Sequence, residues 1–368
     1  MDNSTLPSLK GCITKHILLF CVLFLVVNSY AADSDYHIIK RIEVGGEGGW
    51  DYLTVDSTAR RLYISRSTHV TVLDLNTDKI VGDLPDTPGV HGIAIASDLN
   101  RGFTSNGKSD SSTIFDLKTL KVLGQVSTGE NPDAIVYDPV SKNVFTFNGR
   151  SKDATVFDAA TGKTVRTISL GGKPEFAVAD GRGMIYVNIE DTHEVVEIDT
   201  LNPGVSRRFL LDGCDEPTGM GLDAEHHRVF SGCHNKTMTI LNTTTGKVIA
   251  LMPIGEKVDG NGFDAGIGLA FSSNGDGTLT LIRETSPDNF EVLETVVTQG
   301  GSRTMAIDPL SHNIYLPAAQ FLHPLESSQA GATFRPVMVK DSFEVLVVGK
   351  QPLPVADEKG NVHTPDNK

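Results

Sequence analysis

Asp51, His91, Asp133 and Glu175 follow one another at intervals of 40, 42 and 42 residues, with Arg303 further along the chain. Four of these five groups can offer oxygen or nitrogen to a cation. Asp51, Asp133 and Glu175 are hard oxygen ligands of the kind Ca²⁺ or Mg²⁺ takes, and an imidazole such as His91 shifts the preference toward a transition metal. Arg303 works the other way, because a guanidinium repels a metal ion and pairs with an anionic group such as a carboxylate. The same polar set could instead do no more than hydrogen-bond ordered water in a wet cavity. Either outcome requires a repeated unit that brings residues about forty apart to one place.

That unit is visible as seven copies of a paired pattern. Each is a β-rich run, a small or polar turn, and a second run ending in apolar or aromatic residues: residues 53–56 and 61–65, 93–96 and 101–105, 135–138 and 143–147, 177–180 and 184–188, 220–223 and 228–232, 269–272 and 278–281, and 305–308 and 313–316. The anchors closing the first runs are Asp56, Ala96, Asp138, Asp180, Asp223, Ser272 and Asp308, separated by 40, 42, 42, 43, 49 and 36 residues. A third run with period-two alternation follows in the early units (71–75, 113–117, 155–158, 195–199, 239–242), and a fourth lies past the next turn (79–81, 121–123, 164–168, 247–250). Four antiparallel strands at this period predict an all-β, seven-bladed β-propeller, with no helix longer than a turn in the ring.

In a propeller the segments leading into the innermost strands line one mouth of the central channel. Five residues back from each anchor stand Asp51, His91, Asp133, Glu175, Thr218, Ile267 and Arg303, so the sixth unit breaks the polar pattern, although Asp259 and Asp264 precede it closely. The expected mouth site is therefore Asp51, His91, Asp133, Glu175, Asp264 and Arg303, with Asp51, Asp133 and Glu175 as metal candidates. His69, His193 and His234 fall in loops on the same face but in different units, and His226, His227 and His312 fall in first hairpin turns on the opposite face. Asn274–Gly277 looks like a fragment of a Ca²⁺ loop, but reads as the glycine-rich hairpin turn of the sixth unit.

The seventh unit has three strands of its own, and the segment 37–44 has none to belong to, so the N-terminal strand is expected to complete the last blade and remove a free edge. The long insertion 320–341 on a rigid ring reads as a lid or partner contact. Residues 1–31 read as a cleaved signal peptide: Lys10 and Lys15 flank the apolar run 17–27, and small residues precede the cleavage position at Ala31. The propeller then spans 36–349 and a polar tail 350–368. Export removes Cys12 and Cys21 and leaves Cys214 and Cys233, which an oxidising compartment would join; two reduced core thiols are the alternative.

Loss of Lys10, Lys15 and Asp2 moves the formal charge from −14 to −15, which disfavours a polyanionic partner such as nucleic acid. The sequence contains no dinucleotide, P-loop, nucleophile-elbow, zincin or c-type haem motif.

The phrases Gly45–Leu53, Gly89–Ile93, Gly102–Asn106, Gly129–Ala134, Gly171–Ala177 and Arg303–Asp308 resemble blade sequences of the YVTN or YncE-like family of exported bacterial seven-bladed propellers, over about residues 36–350. The resemblance implies a scaffold rather than a reaction. The reading is an exported, periplasmic or secreted binding or scaffold propeller with no membrane span after signal cleavage. Its ligand or protein partner sits at the channel mouth, no cofactor is firmly implied, and a divalent metal is a candidate. A metal-dependent hydrolase of lactonase type is one alternative, and a nucleic-acid or cell-surface contact protein using the outer rim is another.

Overall fold

The computed structural model describes Met1, residues 35–322 and 337–350, and the short antiparallel pair Val355–Ala356 with Val362–His363. The expected signal peptide, the middle of the 320–341 insertion and most of the tail lie outside the described residues.

Seven four-stranded antiparallel sheets follow one another as blades. Blade one runs Leu53–Asp56, Arg61–Ser65, Val70–Asp74 and Lys79–Leu84 from the channel outward, and the pattern repeats through blade six. Burial follows the strand position. Second and third strands are buried almost end to end, as in Asn143–Asn148 and Asp153–Asp158, whereas outer strands such as Thr164–Ser169 are largely exposed. The apolar core consequently sits between blades: one cluster joins Phe145, Phe147 and Val156 of blade three to Ile185, Val187 and Val196 of blade four. Among the described residues the only helical segments are the 3₁₀ turns Ser97–Leu99 and Glu190–Thr192.

The anchor carboxylates hold the first hairpin turns. Asp138 accepts the Ser141 amide at 2.8 Å, Asp180 those of Arg182 and Met184, and Asp223 that of Glu225, the local side-chain-to-backbone bond that favours Asp at turns. Blade two has Ala96 in the anchor position, and its turn is built differently, from the Ser97–Leu99 turn closed by Asn100 in the left-handed region. A second Asp does the same for the outer turn: Asp74 takes the amides of Asn76 and Thr77, and Asp116 those of Lys118 and Thr119.

The sixth unit corrects the sequence reading. Its innermost strand is Val258–Asp264, and Leu269–Asn274 and Thr278–Ser286 are its second and third strands. The anchor is therefore Asp264, which accepts the Gly266 amide at 2.9 Å, and not Ser272. Residues 258–264 carry three polar or charged side chains and two glycines, so hydrophobic pattern placed the strand one element late. With Asp264 as anchor the two irregular intervals of 49 and 36 become 41 and 44.

The ring closes as expected. Tyr36–Glu43 pairs antiparallel with Glu344–Lys350, giving the last blade the order of N-terminal strand, Glu344–Lys350, Asn313–Ala318 and Ala306–Asp308. The loop joining this strand to blade one is held by Arg66, 1% exposed, whose guanidinium donates to the carbonyls of Gly45, Glu47 and Gly48 and lies 3.8 Å from the Phe343 ring centroid. Gly48 has φ +98°, and a Cβ there would meet the Arg66 carbonyl at 2.8 Å, so that position requires glycine. Across the seam, Arg60 reaches the fully buried Asp308 of blade seven at 2.6 Å. Cys214 and Cys233 are joined, with Cα atoms 5.4 Å apart.

Deleting residues 35–43 removes the buried side chains of Tyr36 and Ile42 and leaves Glu344–Lys350 as a bare edge. The two side chains alone are worth about 3–6 kcal/mol, so urea unfolding of the truncated chain should show at least that loss; an unchanged midpoint would refute closure as a source of stability. For the disulfide, which closes a separation of 19 residues, the Cys214→Ala/Cys233→Ala double variant should lose about 3 kcal/mol in the same assay.

Candidate functional site

Each innermost strand starts at the same end of the ring, so the residues five before the anchors meet there. Asp51 and Arg303 lie just outside strands Leu53–Asp56 and Ala306–Asp308, and His91, Asp133, Glu175, Thr218 and Asp259 lie at the second position of theirs. His91 Nδ1 is 2.5 Å from Asp51 Oδ2 and 3.8 Å from Asp133 Oδ1. Lys173 holds its ammonium between Glu175, at 2.5 Å, and Glu190. Arg303 Nε is 3.2 Å from Asp259 Oδ2. Thr218 is buried, and its hydroxyl donates to the carbonyl of Val258 in the next blade at 3.2 Å rather than facing a ligand.

Behind these charges lies an aromatic pair. The rings of Tyr52 and Phe176, from blades one and four, meet edge to face at 5.2 Å. Burial raises the Tyr52 phenol well above its ordinary range, and Asp133, Asp51, Glu175 and Asp259 add to the effect, so four carboxylates share its surroundings. Past Phe176 the inner strands line a cavity of about 400 Å³ with Met220, Phe263 and Met305 on its walls. The charged mouth thus sits over an apolar floor.

The charges do not balance. Asp51, Asp133, Glu175, Glu190 and Asp259 face His91, Lys173 and Arg303, five carboxylates against three cations. Burial raises Asp133, and Asp51 raises it further, to about 7. Burial opposes the charged form of His91, but the bond to Asp51 and the nearby carboxylates outweigh it and lift the imidazole to about 9. Around Lys173 two carboxylates compete for one ammonium: burial and Asp133 push Glu175 up to about 8, while Glu190, despite its burial, is held below its usual range by its bonds to Glu175 and Lys173. Glu190 keeps the charge and Glu175 the proton. Burial also lifts Asp259 to about 6 against the pull of Arg303.

Asp264 does not belong to this set. As the anchor of blade six it lies at the far end of its strand, fully buried, with Oδ2 2.8 Å from His312 Nδ1. The blade-six residue at the mouth is Asp259, which the misplaced anchor had replaced with Ile267. The same shift moves Asn274–Gly277 from a first hairpin turn to the turn between second and third strands, on the mouth face, where Asp276 accepts the Glu256 amide at 2.7 Å. Lys173 and Glu190 were missed because they lie outside the fixed offset: Lys173 precedes its strand, and Glu190 begins the 3₁₀ turn Glu190–Thr192. His193 and His234 are drawn together, since the Glu216 amide donates to His193 Nδ1 at 3.1 Å and its carboxylate is 2.6 Å from His234 Nδ1. His69 stands apart, 3.7 Å from Asp83.

Among the described residues, ligand atoms of Asp51, His91 and Asp133 lie within 4.8 Å of one another, close enough to share an ion; Glu175 is turned to Lys173 and is not in that set. No helix among the described residues is long and apolar enough to cross a membrane.

The chain is a seven-bladed β-propeller. Among solved structures it is similar to Kuenenia stuttgartiensis Hydrazine Synthase, with a TM-score of 0.61 and 16% identity over 74% of this chain and 94% of that one, a likeness of fold alone. No protein-family model and no curated protein matches the chain. The likeness supports a propeller scaffold and does not favour the lactonase-type alternative.

The raised mouth groups fix a pH dependence. His91 contributes stability that is complete below its unfolded value near 6.5 and lost as pH rises through about 9. Asp133 and Glu175 cost stability as pH rises from their ordinary values of 3.8 and 4.5 through about 7 and 8, above which the cost is complete. Both signs predict falling stability between pH 6.5 and 9. In Asp133→Asn/Glu175→Gln the fall should be shallower and the chain more stable than wild type at pH 8.5, by about 1 kcal/mol or more, in denaturant titrations across that range.

Proposed function

We propose that the chain is an exported propeller of the YVTN or YncE-like kind that binds a small organic cation at the channel mouth. The observation that carries the reading is the excess of carboxylates converging above the floor of Tyr52 and Phe176. In the free protein that excess is relieved by holding protons on Asp133 and Glu175, and a ligand ammonium paired with Asp133 takes the place of its proton. An organic cation suits the place more than a bare metal ion does. The aromatic floor of Tyr52 and Phe176 offers ring faces and edges to the carbon skeleton of such a ligand. A ligand with an anionic end could also reach Arg303, whose side chain is more than half exposed.

Export rests on the apolar segment 17–27 with its flanking lysines, and a cleaved leader would place the mature chain in the periplasm or outside the cell. The joined Cys214 and Cys233 suit such an oxidising compartment. The net negative charge argues for a partner that is not nucleic acid.

Calorimetric titration of the chain lacking residues 1–31 with 1,4-diaminobutane and with basic amino acids tests the reading. Binding should appear at pH 8, weaken at least tenfold in Asp133→Asn, and weaken as pH falls through 7, where Asp133 and Glu175 take up protons. No binding of either probe by wild type, or affinity indifferent to both the substitution and pH, would leave the mouth as a wet channel.

A further inference from the structure

The face opposite the mouth carries a second convergence, where blade six reaches over blade five. Third strands of blades one to five are five or six residues long, but Thr278–Ser286 has nine, as does its partner Asn289–Val297. The extra length makes a hairpin that projects from the ring. It is fastened to blade five at two points: Phe290 packs edge to face on Phe230 at 5.8 Å, and Arg228 donates from Nε to the Pro287 carbonyl and pairs through a terminal nitrogen with Asp288, both at 2.7 Å. This projection carries Glu284 over the first hairpin turn of blade five.

There Glu284 meets Asp223 and His226. His226 Nδ1 lies 2.6 Å from Asp223 Oδ2 and 3.3 Å from Glu284 Oε1, and the ligand atoms of all three residues lie within 4.8 Å of one another. The Asp223 and Glu284 side chains are only 2% and 5% exposed, while that of His226 is 41% exposed. Glu284 Oε1 is buried and makes no hydrogen bond, because the one Nδ1 proton within reach is committed to Asp223. A buried carboxylate oxygen aimed at a second buried carboxylate across a shared imidazole is costly unless something positive stands between them.

The other anchors show how the fold normally settles this. Asp308 pairs with Arg60 and Asp264 with His312, one carboxylate to one basic side chain. At blade five a second carboxylate is added to the same nitrogen. Arg228 is near, but it is spent on Asp288 and on the carbonyls of His226, His227 and Pro287. Glu225 adds further negative charge near His226.

We propose that Asp223, His226 and Glu284 form a binding site for a divalent transition-metal ion, of the zinc class, that clamps the projecting hairpin of blade six to blade five. One nitrogen and two carboxylate oxygens are a ligand set such an ion takes, and the exposed side of His226 leaves the remaining position to water. The Glu225 amide donates to Asp223 Oδ1 at 3.0 Å, which fixes that carboxylate with its other oxygen toward the site. Opening the Nδ1 to Oδ2 distance by several tenths of an ångström admits the ion.

The test is titration of the metal-free mature chain with Zn²⁺ by calorimetry, with wild type, Glu284→Gln, His226→Ala and, as a mouth control, Asp51→Asn/Asp133→Asn. One ion per chain should bind. Affinity should fall at least tenfold in Glu284→Gln and in His226→Ala and stay within a factor of about two in the mouth control. Circular dichroism checks that each variant is folded, and Glu284→Gln, which keeps the side-chain shape, stands alone if His226→Ala does not fold. Absence of Zn²⁺ binding by wild type overturns the proposal, as does binding that survives Glu284→Gln or is lost only in the mouth control. Neither result bears on binding of organic cations at the mouth.

Discussion

Every blade of this protein has two apolar faces and can bury them only against neighbours, so the pairing of Tyr36–Glu43 with Glu344–Lys350 is the interaction on which the rest depends. Without it the seventh sheet ends in a bare edge and its packing against blade one is incomplete. The core cluster at the seam shows how much rests there: Ile42 of the N-terminal strand packs with Leu62 and Ile64 of blade one and with Tyr315, Phe343 and Val345 of blade seven. Arg66 adds a polar lock. Its buried guanidinium donates to three carbonyls of the Gly45–Gly48 loop, a cheaper arrangement than leaving the charge alone.

Closure also determines the electrostatics. Strands entering the ring from one end carry their second residues to a common rim, so residues about forty apart in sequence become contacts of a few ångströms. A ring with paired walls cannot spread to separate like charges, and the mouth therefore lowers its energy through protons and through internal cations such as Lys173 and Arg303. The opposite face works differently. There the anchor carboxylates are consumed in holding turns, and an extended hairpin brings a second buried carboxylate, Glu284, to one of them, Asp223.

Two kinds of polar residue thus share the same repeat. Asp56, Asp138, Asp223, Asp264 and Asp308 are structural, each at the end of an innermost strand. Asp133 and Asp259 stand at the second positions of theirs, Asp51 lies just ahead of its own, and all three are free of that duty.

The sequence by itself determined the repeat, the blade count and the closing strand, because these follow from alternation, turn residues and counting, and it left Cys214 and Cys233 either joined or reduced. It also placed Asp51, His91, Asp133, Glu175 and Arg303 at one rim, since a fixed offset from an anchor is a geometric statement in a regular fold. It misplaced Asp264 for the same reason: the offset is only as good as the anchor, and the polar, glycine-bearing strand Val258–Asp264 hides its hydrophobic period. Only the tertiary structure decided which carboxylate meets which cation, that Lys173 and Glu190 join Glu175, and that Glu284 crosses a blade boundary to reach His226. Those contacts depend on side-chain reach, burial and the lean of one hairpin, which are properties of the assembled ring and not of any segment within it.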